Sequence, residues 1–478
     1  MRYDKENDCC RDLNIAYIGG GSHAWAWVFM TDLAKETKIS GTVRLYDIDK
    51  RAAENNRRIG TRLFARKDVK GDWQFQTSSS LKEALWGADF VIISILPGTF
   101  DEMETDVHLP EKYGIYQSVG DTVGPGGLMR ALRTIPIYAE FAEAIREFCP
   151  AAWVINYTNP MSLCVKTLYH IFPQIKAFGC CHEVFGTQKV LRDICCLETG
   201  MEGLEKSDII VNVLGINHFT WFTKASCRGI DLFPVYKKFI DSHFQEGYDD
   251  PDRNWMNGTF NCAHRVKFDL FNRYGGIAAA GDRHLAEFMP GEQYLKDPDT
   301  VKRWKFALTT VEWRKERQQL KNQEALEMAE GRKELELKDT GEEGIRMIKA
   351  LCGLDRMISN VNLPNSSGQI RNLPKEAVVE TNAVFSRDSI AAVDAGDMPQ
   401  PILQLTMPHI KNHERILEAA LSCDFEKACE ALMDDPLVNG RITREEGRKL
   451  LSEMLCRTSR YLPPAWKKTS ADRRTKEK

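Results

Sequence analysis

At 478 residues the chain is long enough for one large domain or two ordinary ones. A net charge of -3 and a pI near 6.4 argue against a nucleic-acid partner, and no apolar run approaches the roughly 20 residues that span a bilayer. The first twelve residues are polar and charged, unlike a signal peptide, and the fourteen cysteines include three adjacent pairs (Cys9-Cys10, Cys180-Cys181, Cys195-Cys196) but no Cys-x-x-Cys, so a reduced, cytoplasmic protein is expected.

Leu13 to Ile18 reads as a strand. Gly19-Gly20-Gly21-Ser22-His23-Ala24 follows at once, then a helical pattern from Trp25 to Leu33. This is Gly-x-Gly-x-x-Ala. Gly19 permits a tight turn, Gly21 lets the backbone approach a pyrophosphate, and Ala24 lets the helix pack on the strand. Gly19, Gly21 and Ser22 are the candidate phosphate contacts, with the helix N-terminus supplying positive potential. A second strand, Thr42 to Tyr46, ends in Asp47. That acid can accept hydrogen bonds from a ribose, which favours NAD over NADP.

The alternation continues. Asp49 to Lys67 reads as a helix, Trp73 to Thr77 as a strand, Ser79 to Trp86 as a short helix and Asp89 to Ile95 as an apolar strand. Such βαβα order predicts an α/β fold with a doubly wound, parallel, Rossmann-type sheet. Leu96 to Thr99 breaks the pattern. A loop is expected from there through Asp101, Glu102, Glu104 and Asp106 to the glycine-rich run Gly120 to Gly127, where Asp121 lies. The next helix, Leu128 to Phe148, carries Arg130 and Arg133. Trp153 to Tyr157 is another strand, Asn159-Pro160 opens another helix, and Ile175 to Phe178 leads into Cys181-His182-Glu183. The helical pattern Thr187 to Cys196 makes that stretch a strand-to-helix junction, where α/β sheets bind ligands. A thiol beside an imidazole there suggests a metal ligand or a nucleophile. A buried Cys and a satisfied His in a tight turn are the plainer alternative.

Past about residue 200 the grammar changes. A dinucleotide-binding domain over 1–200 and a fused α+β domain over 201–478, packed on the sheet's carboxyl edge, are expected. Ile209 to Ile216 precedes Asn217-His218. Ala278 to Gly281 is a small-residue loop that leads into Asp282, Arg283, His284 and Glu287. These residues suit either a polar ligand or a helix start capped by Asp282, with an Arg283–Glu287 pair in solvent. Val301 to Met347 reads as a charged, solvated helical face, and Leu373 to Glu380 as a strand region. Ile410 to Leu421 and Phe425 to Leu432 read as closing helices, and Ser470 to Lys478 as a disordered tail. Cys181 and His218 each follow a strand pattern. Two strands ending at one sheet edge would let them share a divalent ion with positions left open for a sugar's vicinal hydroxyls, which suits Mn²⁺.

Taken together, Gly19-x-Gly21-Ser22, Gly124-Pro125-Gly126-Gly127, Asn156-Tyr157-Thr158-Asn159-Pro160, Cys181-His182-Glu183-Val184 and Gly215-Ile216-Asn217-His218 resemble glycoside hydrolase family 4 over essentially the whole chain. The resemblance implies a cytoplasmic homodimer or homotetramer that needs NAD⁺ and a divalent metal, typically Mn²⁺, and acts on a small oligosaccharide. It implies hydride removal at C3 of the sugar, loss of the C2 proton, elimination at C1, water addition and re-reduction. It assigns Cys181 and His218 to the metal and Asn159 to the substrate, with Arg130 a further substrate candidate on the helix after the glycine run. Asp282 is the implied base, His284 the runner-up, His182 the acid, and Asp121 a group that tunes the base. Subgroups differ just after the metal cysteine. His182-Glu183, with Gly281-Asp282-Arg283-His284-Leu285, is most similar to the α-galacturonidase members. That similarity implies a C6 carboxylate on the substrate. Arg283 is the expected reader of that carboxylate, with Glu183 orienting Arg283 or His182. The alternatives are an α-glucuronidase, α-galactosidase or α-glucosidase of the same family, a plain NAD-dependent sugar dehydrogenase, or a non-catalytic NAD sensor.

Overall fold

The computed structural model describes residues 1–250, 255–256 and 258–466. The tail expected at Ser470 to Lys478 lies outside them. Its frame is a sheet whose central strands are short apolar runs. Phe90–Ile93 is buried throughout and Cys9–Ile18 nearly so, as strands covered by helices on both faces must be. From one edge the order is Asp72–Thr77, Ile39–Tyr46, Cys9–Ile18, Phe90–Ile93, Trp153–Asn156 and Lys176–Gly179, all parallel. Numbered along the chain, these six run 3-2-1-4-5-6, the doubly wound order of dinucleotide-binding sheets. The expected Rossmann-type sheet is therefore present.

The sheet does not stop there. Met357–Pro364 pairs antiparallel with Lys176–Gly179, placing Asn362 opposite Gly179. Val378–Ser386 and Ser389–Ala392 extend it further. A boundary at residue 200 thus divides the chain without dividing the sheet. The rest of the second half is α+β. Ile209–Ile216 and Phe219–Cys227 form a tight hairpin, Ile277–Ala278 pairs with its second strand, and Gln400–Ser422, Phe425–Asp434 and Arg444–Arg457 are helices. One apolar cluster joins Leu128 and Leu132 to Leu214 and Trp221 of the hairpin, to Phe288, and to Ile402, Leu417 and Leu450 of the closing helices. That shared core fixes the hairpin over the carboxyl edge of the sheet. Among the described residues no helix is long and apolar enough to cross a membrane.

Three local expectations need correction. The stretch after Thr99 is not a loop. Phe100–His108 is a helix, started by a capping box in which Thr99 and Glu102 satisfy each other's backbone N–H. The glycine run is not open loop throughout either. The helix begins at Gly124, and its first turn is buried so tightly that a Cβ on Gly127 would lie 2.4 Å from the Thr122 carbonyl carbon. The charged region over 301–347 breaks into Pro298–Arg303, Val311–Glu330 and Gly344–Leu351 rather than forming one solvated face.

A buried ion pair ties two of these helices together. Arg133 donates through Nη1 to Asp106 Oδ1 at 3.1 Å and through Nη2 to Oδ2, while its Nε donates to the Pro97 carbonyl at 3.1 Å. Both side chains are almost fully buried. Removing one partner strands the other charge in the interior. Asp106→Ala should lower stability by about 3–5 kcal/mol in denaturant unfolding. A loss under about 1 kcal/mol would show that the pair does not hold this junction.

Candidate active site

The first part of the site is the turn after Cys9–Ile18. Gly19 has φ +91°, and a Cβ there would sit 1.9 Å from the Ser94 carbonyl oxygen, so no other residue fits. Gly21 donates its N–H to Asp47 Oδ2 at 2.9 Å, and Asp49 donates to Oδ1 at 2.9 Å. Asp47 is thereby aimed back at the turn. Ser22 folds over it, its N–H on the Gly19 carbonyl at 3.0 Å. The helix Trp25–Lys35 starts with no side-chain cap and no acid in its first turn. Its leading N–H groups are left for a ligand, which suits the pyrophosphate of a dinucleotide.

The second part is a convergence of Asp121, His218 and His284. One ligand atom from each lies within 4.8 Å of the other two. His218 occupies the turn of the hairpin with φ +66°, a strained value for a non-glycine residue, which turns its ring toward the sheet edge. Thr122 sets its tautomer. The threonine hydroxyl donates to Asp121 Oδ1 at 2.7 Å and lies 2.9 Å from His218 Nδ1. The hydroxyl's one proton goes to Asp121, so Nδ1 carries the hydrogen and Nε2 keeps a lone pair. Burial, then the facing His284, pushes His218 down to about 3, so it stays neutral. The His218 and His284 rings lie 3.8 Å apart, centre to centre. Burial works to raise Asp121, but His284, Arg130 and the Thr122 hydroxyl outweigh it and hold the carboxyl well below the usual range.

Glu183 closes this cluster from the sheet side. It opens the helix Glu183–Thr199 and accepts the Gly281 N–H at 2.7 Å through Oε2, while Oε1 lies 3.8 Å from His284 Nε2. Burial would raise its carboxyl, yet His284 and the Gly281 N–H hold it down at about 2. The expectation that Glu183 orients Arg283 or His182 therefore gives way to a contact with the 281–284 turn.

The other expected site residues fall in distinct places. Cys181 is buried below the cluster, outside the three that converge, with its carbonyl on Asn360 Nδ2 at 3.2 Å. Burial, with Glu380 and Glu183 nearby, pushes its thiol up. Asn159 donates to Asp121 Oδ2 at 3.3 Å, and Arg130 Nε donates to the Asn159 carbonyl at 3.1 Å. His182 is exposed at the mouth, 3.5 Å from Glu342 and against Trp25. Asp282 points away from the imidazoles. Its oxygens accept the Val266 and Lys267 N–H groups at 3.0 and 3.1 Å, capping the helix Arg265–Tyr274. It groups there with Cys262 and His264. That second group makes a poor metal site, because both carboxylate oxygens are engaged and the Lys267 ammonium is close by. Arg283 is neither in solvent nor paired with Glu287. It gives Nε to the Ala307 carbonyl and Nη2 to Ser118 and Thr309, so it braces the wall of the site.

Sequence reasoning missed Thr122, Asn217 and Glu380. Glu380 lies buried beneath Cys181, accepting from Asn360 at 2.6 Å and Asn217 at 3.2 Å. Thr122 follows Asp121 directly, which was a usable signal, but Glu380 comes from a strand 199 residues after Cys181 (380 − 181) and left none. Several buried polar atoms here have no partner: Asn159 Oδ1, Asn217 Oδ1, His284 Nδ1 and Arg314 Nε. Unpaired groups of that kind are costly unless a ligand completes them.

A dinucleotide cradle and an imidazole–carboxylate cluster on one sheet edge define an enzyme of Rossmann-type fold. The family 4 glycosyl hydrolase model matches residues 14–197, and the model of that family's C-terminal domain matches residues 213–438. The chain belongs to this family. An alpha-galacturonidase of Lachnoclostridium phytofermentans is 60% identical over 98% of this chain and 100% of its own length. The crystal structure of Bacillus subtilis lplD is 50% identical, with a TM-score of 0.88 over 93% of this chain and 100% of that one. A 6-phospho-alpha-glucosidase from gut microorganisms, crystallised with NAD and Mn²⁺, shares the fold at 21% identity, with a TM-score of 0.75 over 95% and 99% of the two chains.

Glu287 holds the segment just before Asp121. Its Oε1 accepts the Val119 and Gly120 N–H groups at 2.7 and 2.9 Å, and burial pushes its carboxyl up to about 8 from 4.5. The folded chain therefore keeps a proton that the unfolded chain loses. Stability from this group is intact below about 4.5 and falls as pH rises to about 8. Glu287→Gln keeps the acceptor without the titration. Its melting temperature should change less between pH 5 and about 8.5 than that of the parent. Parallel curves for the two proteins would contradict this account.

Proposed function

We propose that this chain hydrolyses α-linked galacturonides with NAD⁺ and a divalent ion such as Mn²⁺ as its cofactors. The observation that carries the reading is the shared edge: the dinucleotide turn and the Asp121–His218–His284 cluster both sit at the carboxyl ends of the parallel strands. Full-length relatives at 50–60% identity named alpha-galacturonidase support the substrate class. The 6-phospho-alpha-glucosidase that holds NAD and Mn²⁺ on the same fold supports the cofactors. A cytoplasmic homodimer or homotetramer is the assembly we assign, on the family resemblance.

The residues present fit both groups. Gly19, Gly21 and Ser22 would hold the pyrophosphate, with Asp47 at the ribose. His218, through Nε2, would hold the ion with Asp121 facing the same space, and Cys181, beside Glu183 and Asn217, is the further ligand we assign on the family resemblance. When bound, NAD⁺ supplies a reversible hydride acceptor and the ion a Lewis acid for the sugar's hydroxyl oxygens.

The reaction is oxidation at C3, loss of the C2 proton, departure of the aglycone from C1, addition of water and re-reduction. This chain's residues supply the proton transfers. His284 is the acceptor for the C2 proton, in place of Asp282. Its Nδ1 is unpartnered, and Glu183 faces Nε2, so the carboxylate both fixes the tautomer and stabilises the imidazolium that forms. Asn159 carries a free Oδ1 for a sugar hydroxyl. His182, exposed at the mouth, is placed to donate to the leaving oxygen.

Two measurements test this. With NAD⁺ and Mn²⁺, turnover of an α-galacturonide in D₂O should put deuterium at C2 with no net NADH, and should exceed turnover of the matching galactoside, glucoside and 6-phosphoglucoside. Net NADH accumulation would instead mark a dehydrogenase. His284→Ala should lose C2 exchange by at least about 100-fold while Asp282→Asn, if it folds, keeps it. The reverse result would return the base to Asp282. Separately, electron paramagnetic resonance should show Mn²⁺ binding in the parent and its loss in His218→Ala. Unchanged Mn²⁺ affinity in that variant would remove His218 from the metal.

A further inference from the structure

Asp121 converges with the His218 and His284 imidazoles, and the guanidiniums of Arg130 and Arg314 are both near enough to act on its carboxylate and on each other. Arg314 comes from the helix Val311–Glu330. Its Nε is buried with no partner, and among the described residues neither the Arg314 side chain nor the terminal nitrogens of Arg130 are given a hydrogen-bond partner. Arg314 is held instead by the ring of Phe260, at 5.2 Å, with Arg283 over the same ring at 5.0 Å. Cation–π contact fixes the guanidinium plane without using its donors.

The charge count around this point is uneven. Asp121 acts on both arginines but is already committed to Thr122 and to Asn159, and Asp106, which also acts on Arg130, is bound to Arg133. Burial and Arg130 both disfavour the Arg314 cation. Two neighbouring guanidiniums with free donors in a partly buried site are arranged for an anion with two acceptor oxygens. Arg283 is no candidate for two parallel bonds, since its Nε and Nη2 are taken by Ala307, Ser118 and Thr309 and only Nη1 is left.

Resting on the galacturonidase reading above, we infer that Arg314, together with Arg130, reads the C6 carboxylate of the sugar and so sets the preference for a uronide over a neutral hexoside. A pyranose has its C6 group across the ring from the C2–C3 hydroxyls. A sugar with those hydroxyls at His218 therefore turns C6 away from it, and the two guanidiniums near Asp121 are the groups we assign to meet it.

The test compares an α-galacturonide and the α-galactoside with the same aglycone in the parent, Arg314→Ala and Arg314→Lys. The ratio of the two kcat/KM values should fall on the order of 100-fold in Arg314→Ala, mostly through KM for the galacturonide. Arg314→Lys should recover only part of it, because an ammonium cannot form two parallel bonds. Equal losses on both sugars in a folded variant would overturn the role of Arg314 and leave the galacturonidase reading standing. A parent that prefers the galactoside would overturn that reading itself. Should Arg314→Ala fail to fold, competitive inhibition decides. Free galacturonate should inhibit the parent more strongly than galactose, and Arg314→Lys should erase most of that difference. An unchanged difference would overturn the proposal.

Discussion

The bond from the Gly281 N–H to Glu183 joins the two halves of the site. Glu183 belongs to the sheet, at the first turn of the helix that follows Lys176–Gly179. Gly281 belongs to the second half, at the cap of Asp282–Glu287. The bond is 2.7 Å long, and a Cβ on Gly281 would come within 3.2 Å of the same carboxylate oxygen. A side chain at 281 would therefore push the turn away from the sheet. With it would go His284, which reaches Asp121 and His218 only because its turn is pinned there. The carboxylate does this while ionised, because the imidazoles that it faces outweigh the cost of burying it.

That arrangement explains why so many titratable groups coexist at one edge. His218 is kept neutral by burial and by its neighbour, with one nitrogen spent on Thr122. Asp121 and Glu183 are kept ionised against burial by His284, with Arg130 adding at Asp121 and the Gly281 N–H at Glu183. Lone pairs and negative charge are thus presented together before any ligand arrives. A divalent ion needs deprotonated donors; His218, Asp121 and Glu183 already are, whereas the Cys181 thiol, pushed up by burial, gives up its proton only as an ion binds. The same set, without an ion, leaves polar atoms unpaired in the interior, a cost tolerated at functional sites.

What was legible in the chain follows from range. Gly19 to Asp47 is one βαβ unit, so its strand, turn, helix and acid are all local, and the alternating pattern out to Lys176–Gly179 follows from the same grammar. The Cys181 and His218 neighbourhoods were legible because each follows an apolar strand. The helix Phe100–His108 was readable in principle, since Thr99 and Glu102 are a capping box, but its acids looked like loop. The return of Met357–Pro364 to the sheet was not readable, because nothing local distinguishes a strand that joins a distant partner. Arg314 was hidden in the same way. Within Glu312-Trp313-Arg314-Lys315-Glu316-Arg317 it is one charge among many, and only tertiary packing buries its Nε.

The stretch Asp282-Arg283-His284 shows the limit most plainly. In sequence these three residues look like one polar cluster, and the resemblance gave the base to Asp282 or His284 and the substrate carboxylate to Arg283. They sit on a helix, where each step turns about 100° and residues two apart face nearly opposite ways. Asp282 accordingly faces Arg265–Tyr274 and caps it, while His284 faces the site. Arg283 points a third way, into Ser118 and Thr309. The cap and the brace are what hold the imidazole still. Adjacency in the chain names a neighbourhood without its division of labour, because helical geometry separates what the sequence places side by side.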